Sequence, residues 1–148
     1  VASSLQLHSA VGAHTTPGGA GFRVHIAYNE PPRSPWYTVT PEAFRNSKTR
    51  ILHLNDDTLI AVSQRTVGGL SHLVPPMAIT MGMKDLLSAR RIRLLSDTGP
   101  WKRTVMRMLL FGPVTTEYPA TFVQEHPDAM IVVDRNTVVP PLEGIANV

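Results

Sequence analysis

The chain has 148 residues, no cysteine and a formal net charge of +3. This length predicts a single domain, and the lack of cysteine excludes disulfides and thiolate metal sites. So small a charge does not indicate a nucleic-acid partner, and no apolar run reaches the ~20 residues of a membrane-spanning helix. We therefore expect neither of those partners, and a cytoplasmic location, which the lack of cysteine fits.

The N-terminal third is predicted to hold little regular structure. Residues 1–21 are rich in small and polar residues without periodicity, so we expect an atypical or poorly ordered segment. The alternation in Phe22–Tyr28, FRVHIAY, predicts an extended segment. The proline-rich stretch 29–41 predicts a surface loop.

Three strand-and-helix units are predicted next. Thr49–Leu54 is typical of a strand, and Asn55 or Asp56 can cap a following helix that runs to about Arg65. A second helix is predicted after Pro76, because apolar residues recur at helical spacing. Its expected buried face consists of Met77, Ile79, Thr80, Met83, Leu86 and Leu87.

The C-terminal part continues this alternation. Arg91–Ser96 predicts a strand, Pro100 and Gly112 bound a helix, and PATFVQEHP predicts a short helix. The β-branched run Ala129–Asp134 is typical of a strand buried on both faces. Strands that alternate with helices predict an α/β sandwich with a largely parallel sheet. Ligands bind beyond the carboxyl ends of such strands, which indicates the loops after FRVHIAY and RIRLLS.

The first of two stretches that could carry chemistry is SDTGPWK, residues 96–102. The free N–H groups and the dipole of a helix that begins at Pro100 favour an anion, and Lys102 lies in its first turn. This arrangement could bind a phosphate or a carboxylate. The local pattern by itself favours an ordinary β-to-α turn with a solvated lysine, because the stretch matches no P-loop spacing.

The second stretch is HIAYNEP, in which Glu30 follows His25 by five residues. If the two side chains converge, the carboxylate raises the basicity of the imidazole, and the pair can move protons on a sugar hydroxyl or ring oxygen. Two ligands are too few for a metal site, so no metal is expected. Taken alone, the stretch is more typical of a strand-end histidine before a polar turn.

Several segments resemble one family. HIAYNEP is similar to the GHIAFNEP signature of the glucosamine-6-phosphate deaminase/isomerase family, with Tyr28 in place of Phe. MAITMGMKDLLSARRIRLL, TGPWK, GPVT and ATFVQEHPDAMIVVD resemble further family segments in the same order, so the likeness covers about residues 18–134. It implies a Rossmann-like three-layer sandwich with a mostly parallel sheet, incomplete at its N-terminal side. Residues 22–148 would be the C-terminal portion of a sugar-phosphate isomerase-like domain.

The resemblance also implies an activity on an amino-sugar phosphate, namely ring opening, aldose–ketose isomerisation and ammonia release, without a cofactor. His25 and Glu30 match the catalytic residues that open the sugar ring, and Lys102 matches the lysine that holds the phosphate. Strict alignment places Gln64 at a family arginine, with Arg65 one position later. The implied substrate-binding residues are Lys102, Gly99, Thr98, Asn29 and Arg65.

Departures from the family leave alternatives open. The family has Asp-Gly where this chain has Arg23 and Val24. A guanidinium at position 23 should lower the pKa of His25, and Val24 is β-branched where glycine allows unusual dihedral angles. The family's N-terminal half, with its Gly-rich phosphate loop and enolisation aspartate, has no counterpart. We therefore expect the C-terminal portion of an enzyme whose other half is a separate chain or lost by truncation, a phosphosugar-binding module without catalysis, or a truncated fragment without independent function. The expected partner is a further copy of the chain in an oligomer, or a complementary N-terminal chain.

Overall fold

A computed structural model describes residues 16–21, 23–96 and 99–137. Thr98, Phe22 and most of the predicted N-terminal segment lie outside the described residues. Five strands are found in the described part: β1 (Thr16–Gly18), β2 (Arg50–His53), β3 (Met77–Thr80), β4 (Ile92–Ser96) and β5 (Ala129–Val133). Its α-helices are α1 (Pro41–Arg45), α2 (Asp56–Thr66), α3 (Met83–Leu87) and α4 (Arg103–Phe111), and 3-10 segments span Ser71–Leu73, Pro100–Lys102 and Pro119–Glu125.

A parallel sheet forms the centre of the fold, with β4 between β1 and β5. Ile92 and Leu94 on one face of β4 are buried. They share a hydrophobic core with residues of α4 and of the last 3-10 segment, including Val105, Leu109 and Phe122. The strand predicted at Arg91–Ser96 and the helix predicted between Pro100 and Gly112 are thereby confirmed.

The opposite face of the parallel sheet is open. Leu95, Met130 and Val132 are 55%, 52% and 47% exposed, and Leu95 pairs in register with Val132. The strand predicted at Ala129–Asp134 is confirmed, but the expectation that both its faces are buried is wrong. Parallel sheets are usually covered on both faces, whereas the described residues leave this one exposed.

A second, two-stranded sheet corrects another prediction. Met77–Thr80 was expected at the start of a helix, but it is β3 and pairs antiparallel with β2, with Ile51 opposite Ile79. Pairing with a distant strand outweighs the local helical spacing, and helix α3 begins only after Gly82. Gly82 is required at this point because a side chain there would overlap the backbone of Ser47 and Lys48.

The segment between β1 and β2 also differs from the prediction. The described part of Phe22–Tyr28 is not extended, since it forms turns and isolated bridges between Ala20 and Ile26 and between Ile26 and Asn29. The predicted loop at 29–41 is confirmed up to its last residue. There the unpredicted helix α1 begins, capped by the Thr40 side chain, which accepts a hydrogen bond from the Ala43 N–H.

Candidate functional site

A tight turn positions His25. The Gly21 N–H donates to the His25 carbonyl (2.8 Å), and the Val24 N–H donates to the Gly21 carbonyl (3.0 Å). Val24 and Ala27 have φ angles of 54° and 52°, a conformation that side chains disfavour. The expectation of unusual dihedral angles at position 24 is thus confirmed. The imidazole packs against Gly21 so closely that any side chain at position 21 would overlap the ring.

The imidazole of His25 is buried, with 8% of the residue exposed. Its pKa is lowered to about 4, mainly by burial; the Asp57 carboxylate opposes this lowering and the Lys102 ammonium adds to it. The ring is therefore neutral at neutral pH. The expected direction of the shift is confirmed, but the expected cause is wrong, because the Arg23 guanidinium is ion-paired with Asp57.

Glu30 is held by the start of α2. Its Oε2 accepts a hydrogen bond from the Asn55 backbone N–H at 2.7 Å. Its Oε1 is enclosed and has no hydrogen-bond partner among the described residues. Burial raises the pKa of Glu30, against the opposing effects of the Thr58 hydroxyl and the Asn55 N–H, and Asp57 raises it further. Within the described chain His25 and Glu30 are not hydrogen bonded to each other, and the Asp57 carboxylate is their common electrostatic neighbour.

Asn29 is fully buried and makes internal contacts. Its Nδ2 donates to the carbonyls of Ile26 (3.1 Å) and Met81 (2.8 Å). Its Oδ1 accepts from the Arg50 guanidinium at 3.0 Å. These contacts tie the histidine turn to the end of β3 and to β2, so the structure gives Asn29 an architectural role, and its substrate contact stays a prediction.

The first turn of α2 contributes residues that the sequence did not indicate as site residues. Asn55 was expected as a helix cap, but its side chain makes no capping bond and donates to the Pro31 carbonyl at 3.0 Å. Asp57 and Thr58 follow it and face Glu30. They lie 27 and 28 residues after Glu30 in the sequence, and no local sequence signal predicts that proximity.

Two predicted substrate-binding residues, Arg65 and Lys102, lie at the same indole ring, that of Trp101. Lys102 is buried at the end of its 3-10 segment. The Arg65 guanidinium carbon lies 4.3 Å from the centre of the Trp101 ring, and the Lys102 Nζ lies 5.3 Å from it. Both distances are within cation–π range. The structure therefore brings the end of α2 to the loop after β4 and places two cations at Trp101.

Gly99 adopts a φ of 86°, which favours glycine. Its N–H donates to Asp134 Oδ2 at 3.2 Å, and its carbonyl accepts from the Thr137 hydroxyl at 3.1 Å. The Thr137 hydroxyl, followed by backbone N–H groups that include that of Gly99, lowers the pKa of Asp134. The Gly99 N–H that was predicted to bind substrate is thus bonded to a carboxylate of the chain, and its role toward a ligand stays a prediction.

Within residues 16–21, 23–96 and 99–137, no three histidine, aspartate or glutamate side chains are grouped closely enough to hold a metal ion. No helix of this part is both long and apolar enough to cross a bilayer.

The chain is similar to curated proteins named glucosamine-6-phosphate deaminase. It is 34% identical to the glucosamine-6-phosphate deaminase of Lachnoclostridium phytofermentans over 77% of this chain and 43% of that protein. It is 33% identical to that of Hahella chejuensis over 88% of this chain and 45% of the relative. A solved structure of a monomeric glucosamine-6-phosphate deaminase of the NagB superfamily superposes with a TM-score of 0.70 at 31% identity, over 84% of this chain and 46% of that one.

The chain is homologous to the glucosamine-6-phosphate deaminases. This confirms the family resemblance of HIAYNEP and the α/β fold with a parallel sheet, whose small sheets fit an incomplete Rossmann-like domain. No protein-family model matches the chain. It spans less than half the length of the glucosamine-6-phosphate deaminases that it matches.

Proposed function

We propose that this chain supplies the ring-opening and phosphate-binding part of a glucosamine-6-phosphate deaminase/isomerase-like site. The substrate class is an amino-sugar phosphate, and the reaction comprises ring opening, aldose–ketose isomerisation and ammonia release. One observation carries the proposal: a buried imidazole that is neutral at neutral pH lies within electrostatic range of a buried lysine. This combination supports a site in which a proton acceptor and a phosphate-binding cation act on one substrate.

The residues divide the chemistry between them. A neutral His25 can take the proton of a sugar hydroxyl as the ring opens. Glu30, whose pKa burial raises, is a carboxyl group that holds a proton more readily than a solvated glutamate does. Lys102 and Arg65, joined at Trp101, provide the positive charge for the phosphate.

The whole reaction needs groups beyond these. The enolisation aspartate implied by the resemblance has no counterpart in residues 22–148, which we take as the C-terminal portion of the domain. We propose that a complementary N-terminal chain provides it. The second candidate is a phosphosugar-binding module without catalysis. It is favoured by Arg23, which stands at the relay aspartate of the family and is ion-paired with Asp57.

Ammonia release from glucosamine 6-phosphate, measured with this chain alone and with this chain mixed with the N-terminal half of a homologous glucosamine-6-phosphate deaminase, separates the two candidates. Turnover above the buffer rate supports the enzyme and excludes the binding module. Without turnover, calorimetry with the same ligand decides. Loss of affinity in Lys102→Ala, with affinity retained in the exposed control Lys48→Ala, supports the binding module. Absence of binding, or equal affinity in both variants, contradicts a phosphate site at Lys102.

A further inference from the structure

The first turn of α2 is fastened to the histidine turn at two points. Arg23, two residues before His25, is ion-paired with Asp57. Glu30, five residues after His25, accepts the hydrogen bond from Asn55 at 2.7 Å. The two contacts flank the histidine, so Asp57 is held against the segment that carries the imidazole.

Four enclosed polar atoms in this region have no hydrogen-bond partner within the described part of the chain, namely Nδ1 of His25, Oε1 of Glu30, Oδ1 of Asp57 and Oγ1 of Thr58. Nδ1 of His25 and Oδ1 of Asp57 are chemically complementary, because a neutral imidazole can carry its proton on Nδ1 and a carboxylate oxygen only accepts. Leaving either atom unpaired in a buried position is costly. The other oxygen of the same carboxylate is occupied by Arg23.

We propose that Asp57, held by Arg23, is the positioning residue of His25. Its carboxylate directs the imidazole proton to Nδ1 and leaves Nε2 as the proton acceptor. The resemblance implies an aspartate at position 23, and in this chain the negative charge comes instead from α2. The inference rests on the proposed function in taking His25 as the proton acceptor, and it adds the residue that orients that acceptor.

The groups that act on His25 oppose one another. Lys102, from the loop after β4, favours the neutral ring, and Asp57, from α2, favours the charged ring. Glu30 and Arg23 belong to the histidine segment itself, and each is bound to the first turn of α2. Removing the charge of Asp57 should therefore lower the pKa of His25, whereas removing Arg23 frees the full field of the carboxylate and should raise that pKa.

Nuclear magnetic resonance of the ligand-free chain tests this inference. His25→Gln assigns the His25 signals among the six histidines. We expect ¹⁵N shifts of the Nδ1–H tautomer at pH 7 and a titration midpoint near 4 in the unsubstituted chain. Asp57→Asn should move the midpoint below that value, Arg23→Ala should move it above, and Asp57→Ala should reduce the Nδ1–H population.

Asp56→Asn is the matched control, because Asp56 is exposed and lies in the same first turn of α2. Removing the charge of Asp56 should leave the titration midpoint and the tautomer of His25 unchanged. Equal shifts in Asp56→Asn and Asp57→Asn, or an Nε2–H tautomer in the unsubstituted chain, would overturn the inference. If Asp57→Asn does not fold, Arg23→Ala decides, and an unchanged or lowered midpoint there rejects the inference. The titration needs neither substrate nor turnover, so its outcome is separate from that of the ammonia assay.

Discussion

The imidazole of His25 rests directly on the α-carbon of Gly21, with no room for a side chain between them. The place of the imidazole therefore depends on a residue that has no side chain. Gly21→Ala should displace the ring and cost about 1–3 kcal/mol of the free energy of unfolding. It should also raise the pKa of His25 toward 6.5, because a displaced ring is less buried.

Gly18→Ala is the control for this substitution, since a methyl group at position 18 would meet Leu94 Cδ2 at an ordinary 3.5 Å. Urea unfolding and histidine titration of both variants check the expectation. A Gly21→Ala protein that matches Gly18→Ala in stability and in the His25 midpoint would show that the ring is not held by this contact.

Stability should depend on pH through His25. The pKa of His25 is about 4 in the folded state and 6.5 for a solvated histidine, as in the unfolded chain. Between these pH values the unfolded chain therefore binds more protons than the folded chain. The contribution of His25 to the free energy of unfolding is complete above pH 6.5 and is lost as the pH falls toward 4, by about 3 kcal/mol in total. Urea unfolding at pH 7 and pH 4.5 measures the loss.

His25→Gln isolates this contribution from that of Glu30, whose raised pKa acts in the opposite direction. The variant should be less sensitive to acid than the unsubstituted chain between pH 6.5 and 4. Equal acid sensitivity of the two proteins would mean that the folded His25 titrates like a solvated histidine.

Asn29 offers a test of an architectural role. Asn29→Ala removes two hydrogen bonds to carbonyls and one from Arg50, and should destabilise the fold by about 2–4 kcal/mol. Asn46→Ala serves as the exposed control, since it loses one bond to the Glu42 carbonyl and should cost under about 1 kcal/mol. Thermal unfolding of both variants provides the comparison. Similar melting temperatures of the two variants would contradict an architectural role of Asn29 and favour a role in ligand binding.

The open face of the parallel sheet should promote self-association of the isolated chain. Leu95→Lys combined with Val132→Lys should reduce the light scattering of concentrated samples and change stability by no more than about 1 kcal/mol, because both positions are exposed. Leu94→Lys, one position along β4 and buried, should unfold the chain. Unchanged scattering in the double variant would show that other surfaces drive association.

Local sequence patterns predicted the elements whose stability is local. For α2 and α4, the residues at the helix ends and the spacing of the apolar residues were enough to predict a helix. For β4, the alternation of buried residues was enough to predict a strand. The local spacing of apolar residues predicted a helix at Met77–Thr80. The strand found there forms by pairing with β2, whose residues are more than twenty positions away and outside any local pattern. The exposure of β5 depends on how many layers cover the sheet, which its own β-branched residues do not encode.

The same distinction holds for the site. His25, Glu30 and Lys102 were found through motifs that resemble a family. Asp57 was not predicted as a site residue, because only the packing of α2 on the histidine turn brings it to Arg23. The turn itself was predicted as extended, since alternation in the sequence does not reveal the positive φ angles of Val24 and Ala27.

The contact of Arg65 and Lys102 with Trp101 gives the chain an optical probe of its own. The sequence has two tryptophans, and the other, Trp36, is 90% exposed. Trp36→Phe would leave a single indole, flanked by the two cations proposed to hold the phosphate. Because indole emission responds to nearby charge, inorganic phosphate or a sugar phosphate that engages these cations should change the fluorescence of the protein, and occupancy could be followed without a label or a coupled assay.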